Sequence, residues 1–118
     1  MTKHNQTVGK WGEETVAAYL TQRGYEILTS NARTPYGEID IIAKQGGVTI
    51  FVEVKTLTSS RNFFPEHNVT ARKREHMLAC AEHYAAENEI DHWQIDVVAV
   101  EGKQGSQPKI THFENAIT

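Results

Sequence analysis

The sequence predicts an α/β protein in which helices flank a mixed β-sheet, with the element order α-β-β-β-α-β-β. Short runs rich in β-branched and aromatic residues predict the strands, and two longer segments with apolar residues at helical spacing predict the helices. The pair Gly46-Gly47 lies between two of the apolar runs, which is typical of a β-hairpin. Because a helix separates this hairpin from the next run, the crossover predicts that one strand pair is parallel.

Length and composition predict one domain spanning residues 1–118. A chain of 118 residues is long enough to bury its own core, and a hydrophobic fraction of 39% with a charged fraction of 23% is typical of a folded globular protein. The sequence contains no long apolar run and no signal-peptide pattern, so we expect no membrane span. The single cysteine, Cys80, excludes an internal disulfide and fits a cytoplasmic protein.

The first predicted helix spans Val8–Arg23, ahead of Gly24, while the polar residues 1–7 are expected to be loose. Its apolar stripe contains Val16, Ala17 and Leu20. Glu13 lies on the same stripe. Because burying an unpaired acid is costly, Glu13 is either a rim residue with a local hydrogen bond or a residue that reaches a site on the sheet. Two glycines on the same side predict close approach of another backbone: Gly9 and Gly12.

The remaining elements are predicted from apolar segments separated by turn-forming residues. The strands are predicted over Tyr25–Ser30, Glu38–Lys44, Val48–Lys55, Trp93–Glu101 and Lys109–Phe113. Asn31–Tyr36 and Thr56–Asn68 are predicted loops, the second being either functional or a mobile connector. Asn68 or Thr70 caps a second helix that ends near Asn88. The buried face of this helix is expected to contain Met77, Leu78, Ala81, Tyr84 and Ala85.

Two acidic residues interrupt the apolar strands of the hairpin. If Gly46 and Gly47 form a two-residue turn, counting outward places Asp40 directly opposite Glu53. Opposed Cβ atoms lie roughly 5 Å apart, and two carboxylates there repel by about 3 kcal/mol at an effective dielectric near 20. A proton, a cation or wide solvent access has to relieve this repulsion. A three-residue loop would instead place the two carboxylates on opposite faces of the sheet.

The same register places Glu38 opposite Lys55, on the face that carries Glu53. One interpretation is a cross-strand ion pair between Glu38 and Lys55 at a solvated end of the sheet, with Asp40 exposed. The other is a divalent-metal site, because Mg²⁺ binds one or two carboxylates, keeps several waters and completes its shell with phosphate oxygens. The apolar surroundings argue against an exposed face.

The spacing of Asp40 and Glu53-Val-Lys55 resembles the PD-(D/E)XK nuclease signature, in which Asp and Glu bind metal and Lys assists the attacking water. The surrounding residues resemble the YraN-like family of small bacterial proteins, and the similarity covers nearly the whole chain. The matching segments are Gly9-Lys-Trp-Gly-Glu13, Tyr19-Leu20, Gly24-Tyr25, Gly37-Glu-Ile-Asp40, Phe51-Val-Glu-Val-Lys55, Lys73 and Asp96-Val-Val98.

This resemblance implies a restriction endonuclease-like core, similar to that of archaeal Holliday-junction resolvases. It implies a Mg²⁺-dependent endonuclease, with Mn²⁺ as a substitute, that hydrolyses phosphodiester bonds in structured or damaged DNA. Asp40, Glu53 and Glu13 would be the metal ligands and Lys55 the fourth catalytic residue. The expected partner is branched DNA, with a homodimer as a further expectation. The alternative is a non-catalytic nucleic-acid-binding or adaptor module that retains the fold.

Nucleic-acid contacts must come from local basic patches, because the formal net charge is −3. Three basic residues in the first turn of the second helix oppose the helix dipole, a conflict that a bound phosphate would relieve: Arg72, Lys73 and Arg74. The alternative is a solvated charged turn. Arg61 and Arg33, both in predicted loops, are further candidates for phosphate contacts.

Two other polar groups are assigned structural roles. Asp96 is expected to pair with a basic residue or a loop amide, although Gln94 stands where the YraN-like family commonly has Arg. The helical spacing of His76, Cys80, His83 and Glu87 is compatible with zinc, but no second ligand cluster accompanies it. We therefore interpret these four residues as an exposed, partly polar helix edge.

Overall fold

One five-stranded sheet with a helix on each face forms the described part of the chain. A computed structural model describes residues 3–57, 70–103 and 105–117, with side chains described from residue 9 onward. The elements are α1 (Lys3–Gln22), β1 (Glu26–Thr34), β2 (Gly37–Gln45), β3 (Val48–Leu57), α2 (Ala71–Glu87), β4 (Trp93–Glu101) and β5 (Lys109–Ile117). The predicted fold class and element order are confirmed.

The strands lie in the sheet in the order in which they occur along the chain, β1-β2-β3-β4-β5. The pairs β1–β2, β2–β3 and β4–β5 are antiparallel, whereas β3 and β4 are parallel. Strands β3 and β4 are parallel because α2 lies between them in the chain and carries it back to the end of the sheet at which β3 begins. The predicted mixed sheet with one helical crossover is therefore confirmed.

Both faces of the sheet are covered, which explains why the central strands are apolar on both sides. On one face, Val16 and Leu20 of α1 pack against a cluster that includes Ile41, Val52 and Val98. On the opposite face, α2 packs against a second cluster. Its buried members are Ile39, Ile42, Phe51, Cys80, Ala81, Ala85, Ile95, Val97 and Ile117. Among the described residues, no helix is both long enough and apolar enough to cross a membrane.

Three elements extend well beyond their predicted bounds, whereas β2 is longer by only one residue at each end and β3 by two residues at one end. The α1 helix begins at Lys3, so the expectation that residues 1–7 are loose is wrong from Lys3 onward, because polarity alone does not oppose helix formation. Strand β1 continues to Thr34, where only a two-residue turn separates it from β2, so most of the predicted loop Asn31–Tyr36 is strand. Strand β5 continues to Ile117, because β4 offers backbone partners as far as Ile95.

The predicted C-terminal end of α1 and both predicted ends of α2 agree with the structure. Gly24 follows α1 with a φ of 90°, a left-handed conformation that favours glycine after a helix. Thr70 caps α2, because its Oγ1 accepts a hydrogen bond of 3.1 Å from the N–H of Lys73. Of the predicted loop Thr56–Asn68, its first two residues belong to β3, and residues 58–68 lie outside the described residues together with Arg61.

Helix α1 packs closely against β3 at one glycine. A Cβ atom at Gly12 would collide with the hydroxyl of Thr56, whereas a Cβ at Gly9 would have no neighbour within 4 Å. The expected close approach is therefore found at Gly12, against a side chain rather than a backbone, and is not found at Gly9. This contact fixes the distance between the N-terminal half of α1 and the end of β3.

Replacing Gly12 with Ala is expected to destabilise the protein, because Thr56 has to move to admit the new methyl group. Urea unfolding should show a loss of about 1–3 kcal/mol. The double variant Gly12→Ala with Thr56→Ala should recover most of it. Gly9→Ala is the matched control, and it should be neutral or stabilising by up to about 1 kcal/mol through helix propensity. Equal effects of the two single variants would show that the contact with Thr56 is not limiting.

Candidate functional site

The candidate site lies where strands β2 and β3 separate. Their paired residues run from Gln45 opposite Val48 to Ile41 opposite Val52, which confirms the predicted two-residue turn and its register. One position further out, Asp40 and Glu53 would be the next pair. They are not paired through their backbones; instead the N–H of Val54 donates a hydrogen bond of 2.8 Å to Oδ2 of Asp40. The side chain of Asp40 thus replaces a backbone acceptor where the ladder ends.

An irregularity in β1 and β2 directs Asp40 towards β3. Residues two apart in a regular strand share a face, yet Ile39 packs in the α2 cluster and Ile41 in the α1 cluster. The residue of β1 that lies across from Asp40 is Asn31, which has a φ of 53° and is passed over in the β1–β2 pairing. Left-handed backbone is uncommon outside glycine, and Asn tolerates it best. Faces therefore switch at Asn31 and Asp40, which leaves the Asp40 carboxyl in the plane of the sheet.

The carboxyl groups of Asp40 and Glu53 lie close enough for their charges to interact. Burial, followed by the negative charge of Glu53, raises the pKa of Asp40 to about 7, while the hydrogen bond from Val54 opposes the shift. The juxtaposition predicted from the hairpin register is present, although through side chains and not through a directly opposed backbone pair.

Glu13 approaches Asp40 from α1. Its side chain is half-buried. Burial is the largest cause that raises the pKa of Glu13, and the negative charge of Asp40 is the next. A hydrogen bond from Asn31 opposes this shift, and Glu38 adds to it. Both interpretations of Glu13 therefore have a structural counterpart: it has a local hydrogen-bond partner, and it lies close enough to Asp40 for their charges to interact. Asn31, which contacts Glu13 and lies across from Asp40, was not identified from the sequence.

The donor set at this site suits a hydrated magnesium ion. Within the ranges that the structure describes, no three Asp, Glu, His or Cys side chains converge as a ready-made metal cage. Mg²⁺ needs no such cage, because it binds through one or two carboxylates and retains its waters. Asp40 and Glu53 supply two hard oxygen ligands whose mutual repulsion a divalent cation would relieve. The residues therefore fit the group that the nuclease-like signature implies.

The two lysines of the site have different partners. The Nζ of Lys73, in the first turn of α2, lies 3.4 Å from Oε1 of Glu53. Lys55 is half-buried and has no ion pair with any side chain in the described ranges. The cross-strand pair of Glu38 with Lys55, one of the two interpretations above, is not formed, because Glu38 pairs with Arg33 at 3.5 Å.

The remaining basic candidates lie at different distances from the carboxyl pair. Lys73 brings the N-terminal turn of α2 beside Glu53, and the neighbouring Arg72 is exposed while Arg74 is half-buried. Arg33 is 88% exposed at the end of β1, where it pairs with Glu38 as described above. The structure thus brings one member of the predicted basic turn into direct contact with the candidate metal ligands.

Asp96 is a second buried acid, and its environment is fully paired. It is 0% exposed and accepts three hydrogen bonds, from Gln94 Nε2 at 2.9 Å, His112 Nε2 at 2.7 Å and the N–H of Asn115 at 2.9 Å. The other ring nitrogen of His112 lies 3.1 Å from the hydroxyl of Tyr19. The predicted structural role is confirmed, and Gln94 is itself one of the partners rather than a gap where a partner is missing.

The helix edge considered for zinc is not uniformly exposed. Cys80 is only 5% exposed and belongs to the core cluster beneath α2, so its assignment to an exposed edge is wrong. His83 lies 3.9 Å from Glu87, one turn further along the helix, and its ring also contacts Tyr36 edge-on. The helically spaced residues therefore comprise one core residue, Cys80, and side chains nearer the surface, which include the pair of His83 with Glu87.

Comparison with known sequences shows extensive similarity to one family. The profile of the uncharacterised protein family UPF0102 matches residues 12–100. A UPF0102 protein of Syntrophotalea carbinolica is 40% identical, covering 98% of this chain and 95% of its own. Relatives from Trichlorobacter lovleyi and Dehalococcoides mccartyi are 42% and 35% identical, covering 97% and 99% of this chain and 92% and 98% of their own. The resemblance to the YraN-like family is confirmed, because UPF0102 is that family.

Replacing Asp40 with Asn is expected to stabilise the metal-free protein at pH 8. The amide oxygen can still accept from Val54 and the amide nitrogen can donate to Glu53, while the repulsion is removed. The folded-state pKa of Asp40, about 7, lies above its ordinary value of 3.8, so the folded protein binds this proton more tightly than the unfolded chain. Asp40 therefore lowers the free energy of unfolding progressively as pH rises from about 4 to about 7, by about 1.4 kcal/mol for each pKa unit.

Urea unfolding in EDTA at pH 5 and pH 8 measures this effect. The stability advantage of Asp40→Asn over the natural protein should grow between the two pH values. Glu38→Gln is the matched control, since it removes a neighbouring acid that is exposed, and it should show little pH-dependent difference. An Asp40→Asn variant that is less stable than the natural protein at pH 8 would identify Asp40 as a purely structural acid.

Proposed function

The chain belongs to the uncharacterised protein family UPF0102, and we propose that it is a Mg²⁺-dependent endonuclease, similar to resolvases, that acts on structured or damaged DNA. The observation that carries this proposal is the close pair of carboxyl groups, Asp40 and Glu53, where β2 and β3 separate. Such a pair lowers stability at neutral pH, and a bound divalent cation is the occupant that would offset this cost.

The residues of the site can each have a separate role in phosphodiester hydrolysis. Asp40 and Glu53 would hold the ion, with Glu13, whose charge interacts with that of Asp40, as a further candidate ligand. The bound Mg²⁺ would lower the pKa of a water and neutralise phosphate charge. We assign Lys55 the orientation of the attacking water and the stabilisation of negative charge that develops on the phosphate, because it is half-buried and free of ion pairs within the described ranges.

The surface around the site offers cations for a nucleic-acid backbone. Arg72 and Lys73 lie in the first turn of α2, where the helix dipole also favours an anion. Arg33 is exposed near the end of β1, and Arg61 is a further candidate outside the described residues. Because the net charge is −3, general attraction to duplex DNA is weak, which favours a structure-selective substrate over any duplex.

A non-catalytic nucleic-acid-binding or adaptor module is the second candidate function. It is favoured by the ion pair of Lys73 with Glu53, which neutralises one candidate metal ligand in the absence of metal, and by the acidic net charge. In such a module the carboxyl pair would have no ion to bind. Metal binding and turnover therefore separate the two functions.

Mn²⁺ is expected to raise the thermal unfolding temperature of the natural protein. Ion binding to the folded state alone adds about 2.7 kcal/mol at 100 times the dissociation constant. Asp40→Asn and Glu53→Gln should lose this response, while Glu38→Gln should retain it because Glu38 pairs with Arg33. An unchanged response in Asp40→Asn would place the ion elsewhere.

Cleavage with Mg²⁺ or Mn²⁺ of single-stranded, duplex, flap and four-way DNA tests the enzymatic proposal. Lys55→Ala is expected to lower turnover by at least about 100-fold, because removing one charge-stabilising group commonly costs that much. Its DNA affinity should change by less than about twofold, since Lys55 acts mainly on the transition state.

Lys44→Ala serves as the control, because Lys44 is an exposed lysine near the other end of β2. Activity that survives both Asp40→Ala and Lys55→Ala would come from a contaminating nuclease. Binding without cleavage on every substrate would support the adaptor module instead.

A further inference from the structure

The ion pair between Lys73 and Glu53 has a role that depends on whether metal is bound. We propose that Lys73 is a built-in counter-cation of the carboxyl pair, held by Glu53 without metal and released to a DNA phosphate when a divalent cation takes Glu53. Metal loading and DNA binding would then be coupled through one side chain. This inference rests on the proposed function, and it assigns Lys73 a positioning and regulatory role that differs from the role of Lys55.

The position of Lys73 allows its ammonium group to contact either the Glu53 carboxylate or a ligand in the solvent. Its ammonium lies 3.4 Å from Oε1 of Glu53, yet its side chain is 42% exposed, against 21% for Glu53. The backbone of Lys73 is fixed in the first turn of α2, because its N–H donates to the Thr70 cap. The long side chain can therefore move between the carboxylate and solvent without a change in the helix.

The ion pair is weak enough to exchange. It has one contact at 3.4 Å, it is partly exposed, and it involves a flexible ammonium rather than a bidentate guanidinium, all of which limit its contribution to stability. A divalent ion bound by Asp40 and Glu53 would carry the charge that balances both carboxylates. Lys73 would then lose the attraction of Glu53, and a phosphate oxygen at the N-terminal turn of α2 would be its strongest available partner.

A double-mutant cycle in metal-free buffer tests the release of Lys73. Glu53→Gln removes the charge that holds Lys73, so it mimics the effect of metal on this residue. In EDTA, affinity for four-way DNA is measured by fluorescence anisotropy for the natural protein, Lys73→Gln, Glu53→Gln and the double variant. Lys73→Gln is expected to weaken binding by less than about twofold when Glu53 is present, and by about tenfold when Glu53 is replaced.

Arg72→Gln is the matched control, because Arg72 lies one residue away in the same turn and is exposed. It should weaken binding by the same factor with and without Glu53. Lys73→Arg, which keeps the charge, should retain the dependence on Glu53. Equal effects of Lys73→Gln in both backgrounds would overturn the proposal, as would loss of folding in Lys73→Gln, which would make Lys73 a structural link between α2 and β3.

A second measurement uses Mn²⁺ alone. If Lys73 competes with the ion for Glu53, the thermal response of Lys73→Gln should reach its midpoint at a lower Mn²⁺ concentration than that of Arg72→Gln. An identical midpoint in the two variants would contradict the competition. These measurements distinguish the two proposals. The proposed function is wrong if the natural protein shows neither a Mn²⁺ response nor DNA binding. The inference about Lys73 is wrong if both are present but the effects of the two substitutions are additive.

Discussion

The hydrogen bond from the Val54 N–H to Asp40 is the interaction on which the site depends. It satisfies a backbone donor that would otherwise be orphaned where β2 and β3 separate, so the ladder can end inside a covered sheet. It also fixes the orientation of an acidic side chain that is mostly buried. The same carboxyl thus satisfies a backbone donor and supplies an acid beside Glu53 of the adjacent strand, close enough for the two charges to interact.

The contrast with Asp96 shows why the Asp40 site points to function. Both acids lie in the central strands, but three donors surround Asp96, including the ring of His112. Asp40 receives one backbone donor and faces another carboxyl, which raises its pKa to about 7. A protein can accommodate a buried acid by supplying donors, as it does for Asp96. At Asp40 the neighbouring group is Glu53 instead, an arrangement that a cation satisfies and that stability alone does not explain.

Much of this site follows from the hairpin sequence, because turn length sets strand register. Gly46-Gly47 determines that Gln45 lies opposite Val48, and the count outward brings Asp40 and Glu53 together without further information. The same count fails for Glu38 and Lys55, because regular pairing ends at Ile41. The sequence does not indicate where the backbone pairing of two strands ends, because that depends on which side chain accepts a hydrogen bond from the next backbone N–H.

The other features that sequence reasoning missed depend on contacts between distant segments. Asn31 lies in a stretch that reads as a loop, and only its pairing environment in β1 reveals a left-handed residue across from Asp40. The ion pair between Lys73 and Glu53 requires the packing of α2 on the sheet, which helical periodicity predicts in outline but not in register. Periodicity identifies which face of a helix is buried; it does not specify which strand residue each turn meets.

The charge distribution links these local contacts to the proposed activity. Without metal, the acids around the site and the net charge of −3 disfavour a polyanion, and Lys73 is occupied by Glu53. A divalent ion bound as proposed by Asp40 and Glu53 would add two positive charges at the point where a phosphate has to approach, and would remove the partner that holds Lys73. An acidic protein can therefore act on DNA without a permanently basic surface, provided that the ion creates the attraction locally. If the proposed function holds, selectivity for structured DNA would follow, because only a substrate that brings its phosphates to this small area would gain the full attraction.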